Sequence, residues 1–258
     1  LRARGASYVL LGLGTNVLLG DREFEVPVIR LSKGFDYIER EEGPRRVLYR
    51  VGAATILKKV VTTAVREGLG GVEWAEGIPG AVGGGLRMNA GAYRGELKDV
   101  TRELVMLDPE GKVRRWPGRK IPFSYRELKL PKGWIIVEAT FSLRRETPGA
   151  VRARLDAIRA KRRSSQPLGL PNAGCIFKNP PGESAGRLID ELGLKGTRIG
   201  GAEVSPVHAN FIVNRGGATA ADVLALTRLV ERRVREARGI ALEREVVFIG
   251  VGPEGGAP

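Results

Sequence analysis

A single cysteine, Cys175, stands in Ala173-Gly174-Cys175-Ile176-Phe177-Lys178-Asn179-Pro180, with a lysine and an amide close behind it. A free thiol has a pKa of about 8.5, so at neutral pH it stays mostly protonated and can deliver a proton. Two other uses compete: a buried structural cysteine, or a nucleophile paired with His208, the only histidine. Nothing in the sequence brings Cys175 and His208 together, and His208 itself reads as a hydrogen-bonded structural residue. One histidine and one cysteine do not make a zinc cluster, so no metal site is expected. Arg126, after Tyr125, is either a planar clamp for a carboxylate or a surface ion pair. In Leu242-Glu243-Arg244-Glu245-Val246, the carboxylates Glu243 and Glu245 share one face at a strand's period of two, unremarkable taken alone.

The run from Gly77 to Tyr93, Gly77-Ile78-Pro79-Gly80-Ala81-Val82-Gly83-Gly84-Gly85 and on through Asn89-Ala90-Gly91, is dense in glycine yet interrupted by proline and apolar residues. Such a run is a poor tether. It reads as a shaped loop that brings bare main-chain N–H groups up to an anion. Gly12-Leu13-Gly14-Thr15-Asn16-Val17-Leu18 follows a strand and makes a second such turn. It is not the dinucleotide fingerprint of a doubly wound fold, because Val17 occupies the sixth position. Neither loop carries Gly-Lys-Ser/Thr, which argues against a nucleotide triphosphatase.

These residues need elements to hold them. Strands are expected at Ser7–Leu11, Val26–Leu31, Arg46–Val51, Trp134–Leu143, Phe211–Val213 and Glu245–Ile249. Glu103–Leu107 and Lys112–Trp116 flank the turn Asp108-Pro109-Glu110-Gly111 as a hairpin. Helical spacing marks Ile56–Glu67, stopped by Gly68, then Arg152–Arg163, Ala185–Leu192 and Ala220–Ala237, the last ended by Gly239. Ser164–Asn172 reads as a domain crossing. Strands and helices without regular alternation make the class α+β.

The chain has 258 residues and a formal charge of +14, which speaks to anionic partners and not to fold. The arginines gather at Arg152–Arg163 and Arg228–Arg238, opposite apolar stripes, and a solvated helix face is the preferred reading over a nucleic-acid surface. Aromatic residues make up 6% and do not interleave with the arginines as stacking platforms would. No apolar run is long enough to span a bilayer, and no apolar signal region follows Leu1-Arg2-Ala3-Arg4. The lone cysteine suits a reducing cytosol.

Taken in order, Gly12-x-Gly14-Thr15-Asn16-Val17-Leu18, Gly77-Ile78-Pro79-Gly80-x-Val82-Gly83-Gly84, Asn89-Ala90-Gly91-Ala92-Tyr93 and Tyr125-Arg126 resemble the UDP-N-acetylenolpyruvoylglucosamine reductase family. The same resemblance continues through Ala173-Gly174-Cys175-x-Phe177-Lys178-Asn179-Pro180, Gly186-x-Leu188-Ile189-Asp190, His208-Ala209-Asn210-Phe211 and Leu242-Glu243-x-Glu245-Val246, so it covers nearly the whole chain. It implies a cytoplasmic flavoenzyme of peptidoglycan precursor synthesis, using FAD and NADPH to reduce UDP-N-acetylglucosamine enolpyruvate to UDP-N-acetylmuramate. The implied fold is an FAD-binding domain of the vanillyl-alcohol oxidase type over 1–163, completed by 240–258, with a smaller α+β substrate-binding domain over 164–239. Other implied features are a monomer, no nucleic-acid partner and no membrane.

By the same resemblance, Gly12, Gly14, Thr15, Asn16, Val17 and Leu18 hold FAD together with Gly77, Ile78, Pro79, Gly80, Val82, Gly83, Gly84, Asn89, Ala90 and Gly91. Arg126 balances the substrate carboxylate, and Glu245 hydrogen-bonds it as charge develops, which calls for a raised pKa. Cys175 takes the place of the family's usual serine as proton donor, and Tyr125, Lys178 and Asn179 contact substrate. The chain departs from the pattern at Leu13, Thr15, Leu128 and Val247, and it lacks the N-terminal strand expected ahead of Tyr8. The short interval between Cys175 and Glu245 resembles the subclass without an inserted capping element. Another flavin oxidoreductase built on the same cradle is the alternative, and a basic nucleic-acid-binding protein is the alternative on charge alone.

Overall fold

The computed structural model describes residues 5–23 and 26–251; the opening Leu1–Arg4 and the last residues of the 240–258 segment lie outside them. The chain divides into two compact units. A central unit comprises Leu10–Leu13 and Ile29–Arg162, and a C-terminal unit comprises Leu1–Val9, Gly14–Val28 and Arg163–Pro258.

The central unit is built on an antiparallel sheet in the order Val113–Pro117, Thr101–Leu107, Ile135–Arg145, Arg46–Gly52, Ile38–Glu42, with Leu69–Gly70 pairing the far end of Ile135–Arg145. Alternation in Arg46–Gly52 buries Val47, Tyr49 and Val51 and leaves Arg46 outside. Helix Leu57–Arg66 turns Leu57, Val60, Val61, Ala64 and Val65 into the same core, as its spacing foretold. Each buried leucine or valine taken out of water contributes roughly 1.5–3 kcal/mol, so this face anchors the unit. Asp108 accepts N–H groups of Glu110 (3.0 Å) and Lys112 (2.8 Å), and the hairpin is in register Val113↔Leu107.

The C-terminal unit has a second antiparallel sheet, in the order Asn172–Cys175, Phe211–Asn214, Ala202–Val204, Arg198–Ile199, and helices Ala185–Glu191 and Ala220–Arg238. The long helix opens with a reciprocal cap between Thr219 and Asp222 and closes on Gly239 at φ 68°, a left-handed conformation that glycine adopts freely. Leu226, Val230 and Val234 are buried while Arg232, Arg233 and Arg235 face water; in the other arginine-rich helix, Arg154 and Arg159 pair with the buried carboxylates Glu73 and Glu76. Val17–Leu19 pairs in parallel with Val247–Ile249.

Two expectations move. The last strand begins at Val247, so Glu243 and Glu245 do not stand on a strand face; Arg244 instead forms an isolated bridge with Phe177. The glycine run is not loop throughout, since Val82–Arg87 is helical. Three glycines oppose helix formation by about 1 kcal/mol each relative to alanine. Tertiary bonds override that preference: Val82 N–H donates to Thr55 O and Gly83 N–H to Ala53 O, both at 2.8 Å.

Candidate active site

In the central unit Gly12 approaches Gly84. A Cβ built on Gly12 would lie 3.8 Å from the Cα of Gly84. The neighbouring glycines are spoken for by packing: a Cβ on Gly83 would press on Ala53 at 3.1 Å, and one on Gly85 on Leu57 and Leu97 at 3.1 Å. Gly84 is different. It is exposed, and no heavy atom lies within 4 Å of where its side chain would stand. Gly84 and Gly12 together leave bare main chain that another group can approach closely.

Beyond Gly91 the chain makes a two-residue hairpin, Gly91–Ala92 against Gly95–Glu96. Tyr93 and Arg94 at its tip both have positive φ, 50° and 67°. A turn of that hand normally takes Asn-Gly. A second hairpin, Phe123–Ser124 against Glu127–Leu128, carries Tyr125-Arg126 at its tip, with Arg126 at φ 56°. Asn89, at φ 40°, completes the non-glycine residues in this region of backbone space among those described. Left-handed backbone outside glycine is strained by ~1–2 kcal/mol per residue and concentrates at functional sites. The Arg126 guanidinium lies 5.1 Å from the Tyr125 ring centre and beside Gly91, where a Cβ would meet its Nη1 at 3.1 Å.

In the C-terminal unit, Cys175 ends the strand Asn172–Cys175, half-buried, with Gly174 at φ 84° and open space where a Gly174 side chain would be. The next residues are held on both sides. Glu245 N–H donates to Ile176 O at 2.7 Å, and Lys178 N–H donates to Glu243 O at 2.8 Å. This brings half-buried Glu245 to the residue adjoining Cys175. On the other side the buried Asn210 accepts Phe177 N–H at 3.0 Å and donates to Phe177 O at 2.8 Å, doing with a side chain what a neighbouring strand does with its backbone. Asn210 stands within His208-Ala209-Asn210-Phe211, and only the fold gives it this clamping role.

The remaining candidates separate by what they touch. Asn16 donates through Nδ2 to Glu245 O at 2.9 Å, so its side chain serves the carboxylate's backbone. Lys178 Nζ lies 2.6 Å from Glu243 Oε1, and Asn179 Oδ1 accepts Ala185 N–H at 3.0 Å. Asn89 is wholly buried, with its amide turned into the protein. His208 Nδ1 accepts Asn210 N–H at 3.2 Å, and its ring stands edge-on to Phe211. Burial, helped by the Lys195 charge, lowers its pKa and keeps it neutral, as suits a structural residue. No cluster of three metal-ligating side chains occurs among the described residues.

Residues 166–249 match the UDP-N-acetylenolpyruvoylglucosamine reductase C-terminal domain, and residues 1–116 match an FAD binding domain. UDP-N-acetylenolpyruvoylglucosamine reductase of Geobacter sulfurreducens is 45% identical over 251 residues, 97% of this chain and 82% of that one. That of Heliobacterium modesticaldum is 44% identical, over 96% of this chain and 79% of the relative. The chain belongs to the UDP-N-acetylenolpyruvoylglucosamine reductase family. A crystal structure of the reductase from Thermus caldophilus superposes with a TM-score of 0.83 at 40% identity, covering 96% of this chain and 87% of that one. As a member of this family the protein is an FAD-dependent oxidoreductase, with the mixed α and β architecture described above. The bare main chain at Gly12 and Gly84 fits a closely approaching cofactor, because no protein atom lies within 4 Å of where a Gly84 side chain would stand. No helix among the described residues is long and apolar enough to cross a membrane.

Proposed function

We propose that the protein is the cytoplasmic, monomeric enzyme that reduces UDP-N-acetylglucosamine enolpyruvate to UDP-N-acetylmuramate in peptidoglycan precursor synthesis, with residues 1–163 and 240–258 serving FAD and 164–239 serving substrate. The compact division, which groups 14–28 with 163–258, cuts across that functional assignment. The chemistry FAD supplies when bound is two-electron transfer from NADPH to the enolpyruvyl double bond. Main chain at Gly12, Gly14, Thr15, Val17, Leu18, Gly77, Ile78, Pro79, Gly80, Val82, Gly83, Gly84, Ala90 and Gly91 holds the cofactor, while the side chains of Asn16 and Asn89 bond instead to Glu245 O and to Ser124 O.

Reduction at the β-carbon drives negative charge onto the conjugated carboxylate. Arg126 meets that charge with a bidentate guanidinium, an interaction that strengthens as the charge grows. Glu245, protonated at that moment, donates a hydrogen bond to the same carboxylate. Cys175 Sγ–H protonates the α-carbon, leaving a thiolate that solvent reprotonates. Tyr125, Lys178 and Asn179 orient the sugar nucleotide. The net charge of +14 favours three anionic ligands. The observation that carries this reading is the 2.7 Å bond from Glu245 N–H to Ile176 O, which keeps acid and thiol on adjoining backbone.

The test is an assay of NADPH oxidation by the yellow, FAD-loaded protein, with and without the enolpyruvyl substrate. Turnover that depends on the substrate is expected. Flavin reduction by NADPH with no response to the substrate would favour a different oxidoreductase on the same cradle.

A further inference from the structure

We propose that Asn89 is the residue that aims Arg126, a positioning role that rests on the carboxylate-binding reading of Arg126 above. Asn89 has no exposed surface, and an asparagine side chain offers two N–H donors and one carbonyl. Both donors are spent: Nδ2 donates to Ser124 O at 2.8 Å and to Glu96 Oε2 at 2.9 Å. Its Oδ1 accepts Lys98 N–H at 3.1 Å. Ser124 forms the last rung before the Tyr125-Arg126 tip, paired with Glu127.

The other strand of that hairpin is tethered two residues upstream of Asn89, because Arg87 Nη1 donates to Leu128 O. Both stems therefore hang from one short stretch, 87–89, and the guanidinium lies along Gly91 just beyond it. Arg126 holds a left-handed φ of 56° that an arginine does not choose for itself, so the hairpin that the stem closes fixes its backbone. Asparagine suits position 89, since it tolerates a φ of 40° better than most residues while still supplying the donors. A shift of the Ser124 carbonyl is passed directly to the arginine tip.

Titration calorimetry on the FAD-loaded protein tests this with two ligands, UDP-N-acetylglucosamine enolpyruvate and UDP-N-acetylglucosamine, which lacks the carboxylate. Asn89→Gly keeps the left-handed backbone available and removes only the side-chain bonds. It should weaken the enolpyruvyl ligand about tenfold and leave the other unchanged, the same pattern as Arg126→Ala. Equal weakening of both ligands, or of neither, overturns the role of Asn89. If Arg126→Ala itself shows no selective loss, the carboxylate reading fails and takes this one with it.

The double variant Asn89→Asp/Glu96→Gln guards against simple unfolding. It restores the pairing with position 96 and the acceptor for Lys98, but not the donor to Ser124. Selective loss should persist in double-variant protein that still unfolds cooperatively and binds FAD, and recovery of full affinity would assign Asn89 to folding alone.

Discussion

Asn16 donates its side-chain amide to the main-chain carbonyl of Glu245 at 2.9 Å, across 229 positions of sequence. The next rung repeats the contact through backbone, Val247 N–H to Asn16 O at 3.0 Å. Asn16→Leu therefore leaves a half-buried carbonyl without its donor. A loss of about 1–2 kcal/mol is expected in denaturant unfolding. In stopped-flow work, reoxidation by substrate should slow while reduction by NADPH keeps its rate; equal slowing of both would assign Asn16 to the cofactor instead.

Cys175 is the test of proton delivery. Cys175→Ala should cut the substrate half-reaction by roughly 100-fold or more, the usual scale of a lost general acid, and spare flavin reduction by NADPH. Cys175→Ser should restore part of the rate. Peroxide should inactivate the wild-type protein and not the serine variant, because only the thiol can be oxidised. Equal damage to both half-reactions in the alanine variant rules out donation.

Gly84 separates folding from cofactor binding. It lies within the helix Val82–Arg87 and faces open space, so Gly84→Ala should leave the melting temperature of the FAD-free protein unchanged or raise it. FAD affinity, followed by flavin fluorescence, should nonetheless fall at least about tenfold, since the methyl group stands where the ligand approaches. Gly85→Ala should do the opposite, lowering stability through its 3.1 Å contacts with Leu57 and Leu97. Retention of FAD at wild-type strength by Gly84→Ala would remove the cradle.

His208 supplies a pH signature. It is the only histidine, and burial lowers its pKa from 6.5 in the folded state. The unfolded chain then takes up the proton more readily. The stability this gives is full above about pH 6.5 and declines as pH falls through that value toward the lower folded-state pKa. Melting temperature should drop between pH 7 and pH 5, and His208→Gln should flatten the drop. A further decline below about pH 4.5 is expected as Glu203, whose pKa is held down chiefly by Arg215 and then by Arg198, becomes protonated.

Much of the frame was legible residue by residue. Leu57, Val60, Val61, Ala64 and Val65 announced their helix because a 3.6-residue period needs no distant partner. Asp108-Pro109-Glu110-Gly111 announced its hairpin for the same reason. Ile38–Glu42 carries no strand signal of its own: it is a polar edge strand, made one only by its ladder from Ile38↔Val51 to Glu42↔Val47. The helix inside the glycine run was missed because its stability comes from the carbonyls of Ala53 and Thr55.

The same division runs through the site. Residue types and their order alone determined the reductase family and its flavin chemistry, because glycine's freedom, a thiol's acidity and an arginine's fork are properties of the residues themselves. Tertiary structure decided which of those residues stay exposed and which turn inward to hold the others. Asn89 turns inward to Ser124, Asn16 reaches Glu245, and Lys178 lies against Glu243. A hydrogen bond depends on distance and direction in space, and no local pattern in the chain encodes a partner many residues away.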